Sequence, residues 1–282
     1  MSFADHIRTC NSFDRRRVVP LLAGPQRIGW LLRDNAAALA RFPRVFAAEG
    51  EAVRLVAEGD VEAVSAAVDE VVEALVVENL VPKWRNETFD VMARWGDKPI
   101  FRLDRGAVPF FGTRAYGVHL NGYRLDGGLR LWIGRRAPDK RVAPDKLDNI
   151  VAGGIGNGHG IAATLFKEAE EEGGIPAALV MRAAPVGAVS YCMQTELGIR
   201  DDVLYVYDLE LPADFVPVNS DGEIVDFALM SAHEVVERVR TTDDFKFNVN
   251  LVILDFALRH GLIPVEDPEY TEVATGLHRP LD

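Results

Sequence analysis

The sequence has little cysteine and no long apolar run. Its 282 residues include two cysteines, Cys10 and Cys192. Two are too few for a disulfide framework and indicate a reducing compartment. No apolar run approaches the roughly 20 residues of a membrane span. The first ten residues, MSFADHIRTC, lack the basic and apolar segments of a secretory signal. We therefore expect a cytoplasmic protein that has no membrane partner.

Basic residues are also scarce relative to acidic ones. There are 31 Lys and Arg against 43 Asp and Glu, and the net charge of −12 argues against a general binder of nucleic-acid polymers, which needs a basic footprint. A small phosphate ligand is still compatible with this charge, because a local basic cluster is enough to bind it. The length leaves room for one large domain or two of ordinary size.

The first part of the chain, residues 1–112, reads as an accessory α+β domain. From Asp60 to Asn79, apolar residues recur at spacings of three and four, which predicts a helix with Asp60 as its N-cap. Trp84 and Arg85 belong to a mixed aromatic and polar group, for which we expect packing. No catalytic cluster stands out in this part of the sequence.

The second part, residues 113–282, has more strand-like segments. The glycine pair at 127–128 separates two of them and predicts a hairpin. The segment VLYVYDLEL, rich in β-branched and aromatic residues, predicts another strand. We expect Asp243 or Asp244 to cap a long final helix, and the tail from Pro264 to be irregular.

A glycine-dense loop runs into an acidic helix at 152–176, AGGIGNGHGIAATLFKEAEEEGGIP. Glycine is used where a backbone turns tightly or approaches a ligand. Glu168, Glu171 and Glu172 fall within an arc of roughly 100° on such a helix. Carboxylates so close repel one another unless a cation lies among them, and Mg²⁺ prefers oxygen ligands. An isolated E-x-x-E-E is usually a solvated surface, but the adjacent loop and the glycine stop favour a metal site.

This stretch resembles the Nudix box, G-x5-E-x7-R-E-U-x-E-E-x-G-U, in which U is aliphatic. Gly153 takes the place of the first glycine, and Lys167 replaces the arginine. His159 stands where the family has its first glutamate. In the family that glutamate and the arginine help hold loop and helix together as a charge pair, and here both members of the pair differ.

The segments around the box widen the resemblance. DNIVAGG, VLYVYDLELPADF and DGEIVDFALMS are similar to segments of the Nudix proteins related to the domain joined to thiamine pyrophosphokinase in fungi, and of plant plastid relatives. The resemblance implies an α+β fold, with a Nudix-type α/β/α sandwich and mixed sheet preceded by the smaller α+β domain. It also implies a small-molecule diphosphate as the partner, and a homodimer is the alternative to a monomer.

The activity that the resemblance implies is diphosphate hydrolysis. A thiamine diphosphate-like compound or a nucleoside diphosphate derivative would be cleaved to a monophosphate and phosphate by a metal-activated water. Mg²⁺ is the expected cofactor, with Mn²⁺ as an alternative. Glu168, Glu171, Glu172 and the carbonyl group of Gly153 are the expected ligands.

Further acidic residues are candidates for handling the water. Glu171 or Glu172 would orient or deprotonate it. Glu223 is on a later strand, where the family often supplies an additional acidic ligand or base, and Asp226 competes with it for that role. A solvated turn residue is the more ordinary interpretation of Glu223.

Basic and aromatic residues are the candidates for binding substrate. Arg135, Arg136 and Lys140 belong to the densest basic stretch and would clamp the terminal phosphate. Tyr191 and Gln194 would line a pocket for a heterocyclic ring. The alternative interpretation of the basic stretch is a solvated loop.

The sequence is compatible with two other functions. The altered box residues are compatible with a non-catalytic module that binds a diphosphate compound. A prenyl diphosphate isomerase is the third hypothesis, but it would need an acid/base pair for carbon chemistry, and none is apparent.

Overall fold

The structure is a computed structural model that describes residues 1–82 and 87–281. Trp84 and Arg85, for which packing was expected, lie outside these ranges. Among the described residues, every helix is too short or too polar to cross a bilayer.

The N-terminal half builds a small sheet and a separate hairpin around its own core. Strand β1 runs parallel to β4, and the other pairs in the β2-β1-β4-β3 sheet are antiparallel. Strands β5 and β6 pair only with each other among the described strands. The elements are α1 (Phe3–Cys10), β1 (Val18–Ala23), β2 (Gln26–Leu32), α2 (Arg33–Leu39), β3 (Phe46–Glu49), β4 (Ala52–Leu55), α3 (Val61–Val77), β5 (Thr88–Val91), β6 (Phe101–Asp104) and α4 (Val108–Phe111).

The helix predicted from Asp60 is confirmed. The Asp60 side chain accepts a hydrogen bond from the N–H group of Ala63 at 2.9 Å, as an N-cap does. The buried face of α3 carries Val64, Val68 and Leu75, and these residues pack into the N-terminal core.

The C-terminal half is a mixed sheet covered by helices on both faces. Strands run in the order β11-β12-β7-β8-β13, with β10 beside β7 and β9 beside β8; β12 and β7 are parallel and the other pairs antiparallel. The elements are β7 (Arg114–Arg124), β8 (Arg130–Arg136), β9 (Leu147–Asn149), β10 (Val151–Gly154), α5 (Ile161–Gly173), α6 (Ala177–Val180), β11 (Ala184–Gln194), β12 (Ile199–Glu210), β13 (Ile224–Ser231), α7 (Ala232–Thr241), α8 (Phe247–Arg259) and α9 (Tyr270–Gly276).

The two faces of this sheet have different cores. Leu165 and Ala169 of α5 pack on Val118 from one side. On the other side, α7 and α8 pack in a core that also holds Val206 of β12. The α+β class and the α/β/α arrangement expected from the sequence are confirmed, as is the hairpin between β7 and β8.

Two local expectations were wrong, and one helix was missed. Helix α8 begins at Phe247 after Lys246, and neither Asp243 nor Asp244 caps it. Asp243 instead pairs with Lys146, and Asp244 pairs with Arg238. The tail is not wholly irregular, because it forms α9. Helix α1 was not predicted at all.

Helix α1 packs on the C-terminal half although it begins the chain. Phe3, Ile7 and Cys10 are buried in the core that α8 and α9 share. The Nε2–H group of His6 donates to the carbonyl oxygen of Val239 at 2.6 Å. Contacts thus cross the predicted boundary at residue 112, and that boundary stays a prediction.

Candidate active site

The acidic helix α5 begins and ends as its glycines require. Gly160 precedes it in an extended conformation, and Gly174 follows it with a φ of +59°. The N–H group of Gly174 donates to the carbonyl group of Glu170 at 3.2 Å, and that of Ile175 to Ala169 at 2.9 Å. This left-handed cap fixes the end of the helix just after its glutamates.

The three glutamates of α5 have different surroundings. Glu168 packs against Gly153, where an added Cβ atom would lie 2.3 Å from its Cγ atom. The side chain of Glu171 is 42% exposed. Glu172 is 3% exposed, and its carboxylate accepts the N–H group of Ala152 at 2.7 Å. Two of the three carboxylates are therefore held against β10.

Burial makes the charged forms of Glu168 and Glu172 costly. It raises the pKa of Glu172 well above its usual value, and the charges of Asp148, Glu168 and Glu223 raise it further. The pKa of Glu168 is also raised, first by burial and then by Glu171 and Glu223. A cation among these carboxylates would oppose both effects.

Lys167 supplies a cation to two of the glutamates. Its Nζ atom lies 2.8 Å from Glu171 and 3.1 Å from Glu168, and these contacts raise the pKa of Lys167. His159 is exposed, and the structure gives no contact between it and Lys167. The charge pair of the family box is thus replaced by pairs within α5.

The groups at this site are of the kind that bind a hard divalent cation, but the three glutamate side chains do not point to one common position. Carboxylates and a backbone carbonyl are the ligands that Mg²⁺ takes. Within residues 1–82 and 87–281, no group of three or more His, Cys, Asp or Glu side chains is close enough to hold a metal ion. Glu168, Glu172 and Gly153 adjoin one another, whereas Glu171 is turned toward Lys167.

A cavity of about 600 Å³ opens beside β10, between the two halves of the chain. Both halves contribute to its walls. From the N-terminal half come Pro82, Phe89, Arg105, Gly106, Val108 and Pro109, and from the C-terminal half Tyr116, His119, Arg136, Lys140, Gly153, Arg200, Asp202, Glu223, Lys246, Phe247 and Asn248, among others.

Cations and carboxylates share one wall of this cavity. Arg136 is buried and donates to Asp148 at 2.7 Å, and Lys246 lies 3.5 Å from the same carboxylate. Although burial alone would raise the pKa of Asp148, Lys246 and Arg136 hold it below its usual value. Lys140 forms an ion pair with Glu223. This wall offers positive groups to an anionic ligand.

Glu223 lies just before β13, at the cavity, and its carbonyl oxygen accepts the N–H group of Ala137 at 2.9 Å. Its competitor Asp226 is 3.7 Å from Arg135, and that pair lies on the exposed surface. Arg136 and Arg135 are neighbours on a strand, so their side chains point to opposite faces. Of these four residues, Glu223 and Arg136 line the cavity, and Asp226 and Arg135 do not.

The structure does not bring Tyr191 and Gln194 into the cavity. Tyr191 is fully buried and does not line the cavity, and its contact with substrate stays a prediction. Its Oη–H group donates to Asp202 at 2.5 Å, and Asp202 does line the cavity. Gln194 ends β11, where its N–H group donates to Ser12 at 3.3 Å.

Several cavity residues had no recognisable signal in the sequence. Lys246 and Asn248 lie at the start of α8 and Asp202 lies in β12, and the packing of this helix on the sheet brings the two segments together. Asn248 is 6% exposed, and its Oδ1 atom has no hydrogen-bond partner among the described residues. His119 is buried and bonded through Nδ1 to Asn149 at 2.8 Å. Both faces of β7 are buried at residues 116–122, so alternation along the strand could not indicate the place of His119 in a cavity.

The cysteines take no part in this site. Both Cys10 and Cys192 are free and buried in the described structure. Burial raises the pKa of each thiol to about 12, which leaves little thiolate at neutral pH.

Comparison with known protein families places this site in a family. Residues 116–250 match the NUDIX domain, and residues 2–115 match a domain of unknown function, DUF4743. Nudix hydrolase 20, chloroplastic, of Arabidopsis thaliana is 44% identical over 208 residues, which is 73% of this chain and 56% of that protein. An uncharacterized protein of Saccharomyces cerevisiae is 36% identical over 217 residues, 71% of this chain and 63% of that protein.

The chain thus spans somewhat more than half the length of the curated relatives that it matches. A crystal structure of a Deinococcus radiodurans protein aligns with a TM-score of 0.46 at 21% identity, over 59% of this chain and 97% of that one. Through the NUDIX domain at residues 116–250, the chain belongs to the Nudix family.

Proposed function

We propose that the protein is a Mg²⁺-dependent hydrolase that cleaves a diphosphate compound to a monophosphate and phosphate. The observation that carries this proposal is the position of the NUDIX glutamates next to a cation-lined cavity. Gly153 lines the cavity and contacts Glu168. Glu223 lines it too, and its charge acts on both Glu168 and Glu172.

The cations of the cavity would bind the diphosphate group. Lys140 and Lys246 offer ammonium groups, and Arg136 adds positive potential while its own N–H groups bond Asp148 and the carbonyl oxygens of Val142 and Ala143. Positioning and charge stabilisation supply most of the catalysis in phosphoryl transfer. A bound Mg²⁺ would add neutralisation of the diphosphate and a lower pKa for a water.

The carboxylates would share two tasks. Glu168, Glu171, Glu172 and the Gly153 carbonyl group would hold Mg²⁺, which requires Glu171 to leave Lys167. Glu223 would accept the proton of the attacking water once the substrate's phosphates have drawn Lys140 away from it. Glu171 and Glu172 remain alternatives for that base.

A different part of the cavity supports an organic group that donates hydrogen bonds. In the sheet, Asp202 of β12 is paired with Ala115 of β7. Ala115 lies four residues before His119 on β7, which is about 13 Å along the strand. The carboxylate of Asp202 and the unpartnered Oδ1 atom of Asn248 are acceptors there, and the ring of Phe247 adds an apolar surface. These features suit an amino-substituted heterocycle and support a thiamine diphosphate-like substrate over a prenyl diphosphate.

A panel of diphosphates tests the proposal. Phosphate release is measured with Mg²⁺ and with a chelator for thiamine diphosphate, its oxidised forms and nucleoside diphosphates. We expect Mg²⁺-dependent release that is lost in the Glu171→Gln/Glu172→Gln double variant and kept in Glu170→Gln, an exposed neighbour on the same helix. Release that persists in the double variant would overturn the assignment of the metal site.

A non-catalytic binding module is the second candidate. It is favoured by the unconverged glutamates and by the contact of Lys167 with two of them. Calorimetry with the same panel distinguishes the two functions. Binding without phosphate release at any Mg²⁺ concentration supports the module, whereas turnover excludes it.

The location, binding partners and oligomeric state of the chain are the last part of the proposal. The name of the Arabidopsis relative places that protein in the chloroplast, whereas we propose a cytoplasmic location for this chain. We propose that it binds neither nucleic-acid polymers nor membranes, and that it forms a homodimer. Light scattering after size-exclusion chromatography tests the dimer, which a mass near 31.1 kDa would contradict.

A further inference from the structure

The loop between β10 and α5, residues 155–160, leads into the glutamate helix and is here called the box loop. The two positions that would tie it to the helix are His159 and Lys167. His159 is exposed, and Lys167 pairs with Glu168 and Glu171 within α5. Another part of the protein has to hold the box loop.

Strand β5 of the N-terminal half contacts the box loop. The N–H group of Asn157 donates to the carbonyl oxygen of Thr88 at 2.8 Å. The N–H group of Gly158 donates to the carboxylate of Asp90 at 3.0 Å. Because this second bond is made to an ionised acceptor, it is the stronger type of hydrogen bond.

The intervening residue of β5 also contacts the β10 end of the loop. The ring of Phe89 lies over Gly154, where an added Cβ atom would come within 2.7 Å of its Cζ atom. Phe89 is buried and belongs to the N-terminal core. Three successive residues of one strand therefore touch the box loop and the strand that leads into it.

The rest of the N-terminal half fixes Asp90 in place. Arg102 pairs with Asp90 across the β5–β6 hairpin, with Nε 3.7 Å from Oδ1. Arg102 also bonds Glu62 of α3 at 2.7 Å, and its N–H group donates to Ser65 of α3 at 2.8 Å. The anchor thus continues from the box loop to the largest helix of the N-terminal half.

We infer that Asp90 is a positioning residue, through which the N-terminal half holds the box loop and thereby orients the start of the glutamate helix. The anchoring stands on the contacts alone. Its effect on catalysis rests on the proposed hydrolase function. The N-terminal half then has two roles. It forms part of the wall of the substrate cavity, and it holds the box loop in place of the charge pair that the box lacks.

Amide hydrogen exchange tests the anchoring without reference to activity. In Asp90→Ala, we expect exchange at Asn157 and Gly158 to accelerate by about tenfold or more, since a charge-assisted bond is lost. Asp90→Asn keeps an acceptor and should restore most of the protection. Asp97→Ala is the matched control, because Asp97 accepts the N–H group of Arg94 at 3.1 Å in the same region without touching the box loop.

Kinetics then test the catalytic consequence. We expect kcat to fall about tenfold in Asp90→Ala with little change in KM, and to recover in Asp90→Asn. Unchanged exchange at Gly158, or equal acceleration in Asp97→Ala, overturns the anchoring. Accelerated exchange together with no turnover by the wild type leaves the anchoring intact and counts against the hydrolase proposal. Accelerated exchange with an unchanged kcat overturns the positioning role.

Discussion

Gly153→Ala tests whether the glutamate helix and strand β10 form one site. Gly153 lies directly against Glu168, and an alanine Cβ atom there would lie 2.3 Å from Cγ, 2.4 Å from Cδ and 2.8 Å from Oε2 of that side chain. Carbon atoms in contact lie roughly 3.5–4.0 Å apart. The methyl group and the present position of Glu168 are therefore incompatible.

The size of the effect follows from which group moves. Strand β10 is held by its pairing with β7 and by the bond from Ala152 to Glu172, so Glu168 is expected to swing outward. Overpacking of this kind costs about 1–3 kcal/mol in stability. Mutation of a residue that only supports a metal ligand typically weakens metal binding by about 10–100-fold, and we expect a similar loss when the ligand itself is displaced. At a metal concentration well above Kd, the increase in the free energy of unfolding that the metal causes should then be smaller by about 1.4–2.7 kcal/mol.

The assay is urea unfolding with and without Mn²⁺, combined with calorimetric titration of Mn²⁺. Gly156→Ala, in the loop that follows β10, is the control, because its added Cβ atom would come no closer than 3.8 Å to a neighbour. We expect Gly156→Ala to bind metal as the wild type does. If Gly153→Ala also keeps wild-type affinity, Glu168 is not a ligand at this site and the reasoning is refuted.

Three further predictions concern charge, pH and packing. Lys167→Met should tighten Mn²⁺ binding about 2–5-fold, because the metal no longer competes with an ammonium group for Glu168 and Glu171; unchanged or weaker binding in calorimetry would contradict this. Burial, followed by the charge of Lys246, lowers the pKa of His119 from 6.5 to about 4. The stability from neutral His119 is therefore present above pH 6.5 and lost as the pH falls toward 4. The free energy of unfolding measured with urea should fall by about 3 kcal/mol over this pH range, and His119→Asn should remove most of this pH dependence. Phe3→Ala should destabilise the fold by about 3–5 kcal/mol, because Phe3 is fully buried; a change below 1 kcal/mol would show that α1 is not part of the C-terminal core.

Local patterns in the sequence were enough to predict the glutamate helix and its stop. The 3.6-residue period and the left-handed cap at Gly174 are properties of adjacent residues. The hairpin at 127–128 was predictable for the same reason. Helices α1 and α9 were missed because they are short, and packing of residues such as Phe3 and Val273 stabilises them rather than a long periodic pattern.

The cavity depends on contacts between residues that are distant in sequence. Phe89 and Lys246 line the same space although more than 150 positions separate them. The burial of Tyr191 outside the cavity could not be predicted, because alternation along a strand does not tell which face of a doubly covered sheet holds a ligand. The role of Asp90 depends on the position of a hairpin from the other half, which no spacing within the box could indicate.

Hydrolysis in ¹⁸O-labelled water tests whether a water molecule attacks the diphosphate at this site. A diphosphate from the panel is incubated with the protein and Mg²⁺, and the products are analysed by mass spectrometry. We predict equal amounts of monophosphate and phosphate, with one solvent oxygen in one of the two, and no product from the Glu171→Gln/Glu172→Gln variant. Absence of label in both products, or equal yield from the variant, would contradict water attack at a site built on these carboxylates.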